Sequence, residues 1–113
     1  MVRNILPKDI QCIFVRQPEQ LGLGHAVLCA ERAVGEEPFV VLLADDFITD
    51  CKKSVTASLV ESFSKSGKSQ LSVMKVDGPE ISKYGVIIKS ETEGNISGII
   101  EKPAYWDAPS NLA

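Results

Sequence analysis

The sequence predicts an α/β fold, a mostly parallel sheet closing on an antiparallel hairpin, and three observations point there. Residues 39–44 (F-V-V-L-L-A) form a continuous apolar run of strand length, the pattern of a strand covered on both faces. Strand-like segments alternate with stretches of helical periodicity, as they do when helices cross over a sheet. The last two strand-like segments flank Gly94-Asn95, a pairing of residues that favours tight turns.

The elements follow in order. Residues 12–16 are apolar and rich in β-branched side chains, which predicts a strand, and the glycines at 22 and 24 then predict a turn. Ala26, Val27, Ala30 and Ala33 recur at helical spacing, so a helix is expected over 24–33. The run at 39–44, bounded by Pro38 and by Asp45-Asp46, is the best candidate for a central strand. Ser54 is a plausible N-cap for Val55, Leu59, Val60 and Phe63, and Gly67 a C-terminal stop, which sets a helix at about 55–66. Residues 70–76 alternate as a strand, and 84–89 with 96–102 make the hairpin. In the tail, Ser110 and Asn111 stand before an apolar start, so a helix is expected to open there.

At 113 residues, with 44% hydrophobic and 24% charged residues, the chain has the size and composition of one soluble globular domain. A net charge of -3 and the lack of any Lys/Arg-rich block leave no electrostatic footprint for nucleic acid. No stretch approaches the ~18 apolar residues of a membrane span, and the first residues lack the apolar core of a signal peptide. Cys12, Cys29 and Cys51 match neither a disulfide framework nor a metal-binding spacing, and a reducing cytoplasm is the expected setting.

Gln17 precedes the glycine turn in Q-P-E-Q-L-G-L-G-H-A, and its amide carries an acceptor beside a donor, the complement of an imide edge such as uracil's. Gly22 and Gly24 would let the backbone approach a ligand, or serve only as turn punctuation. A dinucleotide fingerprint would need a third glycine where Val27 stands, which argues against a nicotinamide-dependent dehydrogenase. His25 is expected to be a hydrogen-bonding residue at a helix start, with no catalytic role. Asp45 and Asp46 end the apolar strand, a place where open α/β sheets bind ligands and where a carboxylate can hold Mg²⁺, although a plain polar loop would look the same. Gly85 opens a strand, which calls for either a bulge or a close approach to the backbone. Glu101-Lys102-Pro103 offers a carboxylate for hydroxyls and an ammonium for a phosphate. Neighbours in a regular strand face opposite ways, so both can serve one ligand only if the strand bends or ends there.

Together Q-P-E-Q-L-G-L-G-H-A, L-L-A-D-D, K-Y-G-V and I-I-E-K-P, in this order, resemble the sugar nucleotidyltransferases, closest to the bacterial branch that uses UTP and glucose 1-phosphate. The resemblance implies a Rossmann-like nucleotidyltransferase fold with helices on both faces of the sheet, uridylyl transfer from UTP to α-D-glucose 1-phosphate, Mg²⁺, and a homo-oligomer, in this branch a tetramer. Gln17 and Gly22 match positions that hold the uracil, Asp45 the metal ligand, and Gly85, Glu101 and Lys102 the contacts to glucosyl and phosphate groups. Asp46 falls where a further sugar contact is possible, and Asp45 and Lys102 are the catalytic pair. Two alternatives stand beside it: a thymidylyltransferase-type enzyme for another sugar phosphate, and a non-catalytic sugar-nucleotide-binding domain of the same fold. The glycine-rich triphosphate loop and a second metal aspartate of such enzymes are not in residues 1–113, which are therefore expected to be an interior part of one domain and inactive alone.

Overall fold

The computed structural model describes residues 7–46, 48–49 and 52–113, and the chain divides into two units, residues 1–49 and 50–113. Cys51 lies outside the described residues; Cys12 and Cys29 are free thiols.

In the first unit the helix expected over 24–33 is two short ones, α1 (Leu23–Leu28) and α2 (Glu31–Val34). The break comes from a tightened turn. Ala30 N–H donates to Val27 O at 3.0 Å, three residues back, and the Ala30 carbonyl then accepts from Ala33 and Val34 to start a new helix. Gly35 ends α2 at φ 67°, its N–H donating to Glu31 O at 2.7 Å. The strands expected at 12–16 and 39–44 carry no ladder among the described residues. Phe14 and Leu42 are 88% and 74% exposed. A strand holds its shape through hydrogen bonds to a neighbouring strand, so an apolar run shows its character only where a partner pairs with it.

In the second unit α3 (Val55–Ser66) has the bounds the sequence predicts. Ser54 Oγ accepts from Ala57 N–H at 3.4 Å, and Gly67, left-handed at φ 66°, returns its N–H to Phe63 O at 2.8 Å. On the helix surface Glu61 takes Lys65 at 2.7 Å and also pairs with Lys53. These two hydrogen-bonded ammonium groups hold its carboxyl below the ordinary carboxylate range.

The hairpin is also present, β1 (Gly85–Lys89) against β2 (Ile96–Glu101), antiparallel, with Gly85 opposite Glu101 and an irregularity between Ile88 and Lys89. Gly94 turns the chain at φ 78°, while Ser90 and Asn95 close the turn through backbone bonds of 3.1 Å. Val86 and Ile87 of β1 are buried together with Ile81 from the 3₁₀ turn Gly78–Lys83. These three form the core among the described residues, and they fix β1 as the scaffold for what it carries at its start.

Two expectations for the second unit change. Residues 70–76 are not a full strand, since only Lys75 bridges, antiparallel to Leu112. The helix expected to open at Ser110 does not form. Its hydroxyl donates instead to Ile87 O at 2.6 Å, and the tail's backbone pairs with its neighbours: Ile87 N–H to Leu112 O at 2.9 Å, and Met74 with Ala113 in both directions. Ser110 Oγ does accept from Leu112 N–H at 3.2 Å, as a cap would, but the next donor, Ala113 N–H, is committed to Met74 O, so no helix propagates.

Candidate functional site

The glycine turn takes its shape from Gly22, the residue before α1, at φ 90° and ψ 179°. A side chain there would meet nothing within 4 Å, so glycine is needed for the backbone angle and not for space. Gly24 has neither a positive φ nor a close neighbour, and its lack of a Cβ leaves the approach to this backbone open.

Gln17 folds across the turn. Its Nε2 lies 3.1 Å from Gly22 O and 2.9 Å from His25 Nδ1, so both amide hydrogens are directed into the turn. The sequence reading has this amide offering a donor and an acceptor outward; the structure leaves Oε1 alone for a ligand. The N–H of Gly22 has no hydrogen-bond partner among the described residues and is a further candidate donor to a ligand. His25 and Gln17 are half-buried, and Cys29 Sγ stands 4.0 Å from both ring nitrogens. Nothing in the eight-residue spacing announces the Gln17–His25 contact, because it depends on the path of the turn between them.

Asp45 and Asp46 follow the 39–44 run and are exposed, with no ion-pair partner among the described residues. Asp46 N–H reaches Leu43 O at 3.4 Å. Among the described residues no three His, Cys, Asp or Glu side chains gather as a metal cage.

In the second unit Gly85 and Glu101 face each other across the hairpin. A Cβ on Gly85 would stand 3.1 Å from Glu101 Oε2 and 3.1 Å from Ile99 Cγ2, tighter than ordinary contact. Absence of a side chain here is thus what gives the Glu101 carboxylate its place. β2 ends at Glu101, and Lys102 turns away with φ 47°, the one non-glycine residue with positive φ among those described. Pro103 bars the right-handed helical region to Lys102, and a backbone bond from Lys102 N–H to Tyr84 O at 2.9 Å anchors the bend. With the strand broken, both side chains come to one side: Lys102 Nζ is 3.5 Å from Glu101 Oε1. Both remain exposed, so the pair contributes little stability and its charges stay available. Lys83, also near Gly85 in sequence, is tied to Glu80 at 2.6 Å, which raises its pKa.

The nucleotidyl transferase family matches residues 3–113. A UTP–glucose-1-phosphate uridylyltransferase of Haemophilus influenzae is 41% identical over 122 residues, covering 99% of this chain and 41% of that protein. A UDP-glucose pyrophosphorylase from Acinetobacter baumannii superposes with a TM-score of 0.86 at 38% identity, over 99% of this chain and 41% of the other. A UDP-glucose pyrophosphorylase complexed with UDP-glucose does so at 0.79 and 42%, over 88% and 39%. The chain spans about two fifths of the length of these relatives. Its fold is thus the nucleotidyltransferase fold, of the α/β class expected, even where its own described residues show only the hairpin ladder.

Proposed function

The chain belongs to the nucleotidyl transferase family, and on that premise we propose that it carries the base and sugar-phosphate recognition of an enzyme making UDP-glucose and pyrophosphate from UTP and α-D-glucose 1-phosphate. The observation that carries the reading is the corner at Glu101-Lys102. A carboxylate that suits vicinal hydroxyls and an ammonium that suits a phosphate lie 3.5 Å apart, beside a glycine that leaves room for that carboxylate. In the other unit Gln17 Oε1 and Gly22 N–H supply an acceptor and a donor for the uracil edge.

The chemistry is an in-line displacement. A phosphate oxygen of glucose 1-phosphate forms a bond to the α-phosphorus of UTP, the bond from that phosphorus to the bridging oxygen breaks, and pyrophosphate leaves. No covalent enzyme intermediate is involved, so catalysis rests on positioning and charge. Lys102 holds the attacking phosphate and lowers its repulsion from the triphosphate, while Glu101 fixes the sugar through its hydroxyls. Asp46 adds a sugar contact. The donor set at Asp45, a single exposed carboxylate free of ion pairs among the described residues, fits Mg²⁺, which takes one or two protein carboxylates and completes its shell with water and phosphate oxygens. Bound there, Mg²⁺ supplies Lewis-acid stabilisation of the triphosphate.

The free thiols of Cys12 and Cys29 support a reducing, cytoplasmic setting. Among the described residues no helix is long and apolar enough to cross a membrane. Assembly as a homo-tetramer belongs to the same reading and rests on the family resemblance.

The test is UDP-glucose formation from UTP and glucose 1-phosphate by the reading frame that carries this chain, in parallel with Asp45→Asn. Turnover that Asp45→Asn lowers by at least ~100-fold is expected. Binding of UDP-glucose without turnover would instead assign a non-catalytic domain, and full activity of Asp45→Asn would remove the metal from Asp45.

A further inference from the structure

We propose that His25 is a positioning residue that sets the base preference of the site by fixing which end of the Gln17 amide faces the nucleotide. The proposal rests on the reading of Gln17 as the residue that meets the base.

The geometry determines the polarity of the amide. Gly22 O can only accept, so the Gln17 atom 3.1 Å from it must be the NH₂ group. That carbonyl also accepts from Ala26 N–H at 3.2 Å, which ties the amide to the first turn of α1. The second amide hydrogen points to His25 Nδ1 at 2.9 Å, and Nδ1 must then be the acceptor nitrogen of a neutral imidazole, with the ring proton on Nε2. Two acceptors therefore clamp one NH₂ group. A flipped amide would set its oxygen against the Gly22 carbonyl, which can only accept, and would keep a bond to His25 only if the ring proton moved from Nε2 to Nδ1.

With the flip disfavoured, Oε1 is the outward atom. Opposite the N3 position of a pyrimidine it accepts the N3–H of uracil but meets a lone pair on the N3 of cytosine. The N–H of Gly22 donates to the neighbouring carbonyl in the first case. Removing the Nδ1 acceptor leaves only Gly22 O to hold the amide, so the flipped state becomes accessible and the rejection of cytosine weakens. His25 thus acts on the base through Gln17, without touching it.

The experiment compares UTP with CTP as nucleotide substrate, with glucose 1-phosphate, in the reading frame that carries this chain. The variants are His25→Phe, which keeps a ring and removes the acceptor, His25→Asn, which restores a short acceptor, and Gln17→Ala. The ratio of kcat/KM for UTP to that for CTP is expected to fall at least ~10-fold in His25→Phe and in Gln17→Ala, and to return most of the way in His25→Asn. A helix-packing role for His25 would lower both substrates together and leave the ratio alone. If His25→Phe is poorly folded, His25→Asn against His25→Ala supplies the same comparison. A ratio that collapses in Gln17→Ala but is kept in every His25 variant overturns this inference and leaves base reading by Gln17 standing. A ratio unmoved by Gln17→Ala overturns that underlying reading as well.

Discussion

Replacing Gly85 by alanine separates a functional glycine from a structural one, and the contacts set the expected sizes. The added Cβ would lie 3.1 Å from Ile99 Cγ2, about 0.4 Å inside the ~3.5 Å at which carbon atoms pack comfortably. Ile99 is 54% exposed, so its methyl can rotate toward solvent at small cost. Against that, alanine recovers the roughly 0.5–1 kcal/mol that glycine costs inside a strand. Net stability should stay within about 1 kcal/mol, a shift of a few degrees in Tm. The second contact is relieved only by moving the carboxylate itself. Glu101 Oε2 also lies 3.1 Å from the new methyl, and displacing the carboxylate forfeits charged hydrogen bonds to the sugar of about 1.5–3 kcal/mol. The KM for glucose 1-phosphate should therefore rise by roughly 10- to 150-fold while the fold persists. Thermal unfolding and steady-state kinetics on the same preparation decide it. A large loss of Tm with an unchanged KM would show that Gly85 serves packing and would refute the assignment.

Three further outcomes follow from particular residues. Lys102→Met and Lys102→Gly should both lower turnover, by about 100-fold, but only the glycine variant escapes the ~1 kcal/mol cost of a side chain at φ 47° and should be the more stable of the two in denaturant unfolding. Gly22→Ala should lose about 1 kcal/mol because of φ 90°, whereas Gly24→Ala, within α1 and with open space around it, should gain up to ~1 kcal/mol by the same measurement. The folded-state carboxyl of Glu61 titrates below its unfolded value, so its stabilisation is complete above the unfolded value and fades as pH falls through the lowered one. Glu61→Gln should accordingly be less stable than the parent near neutral pH and match it in acid, with the gap closing in high salt.

What was legible in the sequence is local. Ser54 and Gly67 carry their capping chemistry in their own side chains and backbone freedom, so α3 reads off to the residue. Gly94-Asn95 likewise announces its turn, and Pro103 announces that β2 cannot pass it. What was not legible depends on partners. The runs at 12–16 and 39–44 are strand-like in composition, but a ladder needs a neighbour that the run itself does not specify. Ser110 has the chemistry of an N-cap and accepts from Leu112 N–H as one would, but its own proton goes to the Ile87 carbonyl and the tail pairs with Met74 and Ile87 in place of coiling, which the tail's sequence does not specify. Within the proposed site, residue identity and order are what single out Gln17, Gly22, Gly85, Glu101 and Lys102. That Glu101 and Lys102 share a side follows from a left-handed residue, and that Gln17 shows only its oxygen follows from His25.

Two-substrate kinetics of Gln17→Ala and Glu101→Gln test most directly the claim that one unit reads the base and the other holds the sugar phosphate. Gln17→Ala should raise the KM for UTP by about 10-fold or more and leave that for glucose 1-phosphate within twofold; Glu101→Gln should do the reverse. Equal changes in both constants for either variant would contradict that division of labour.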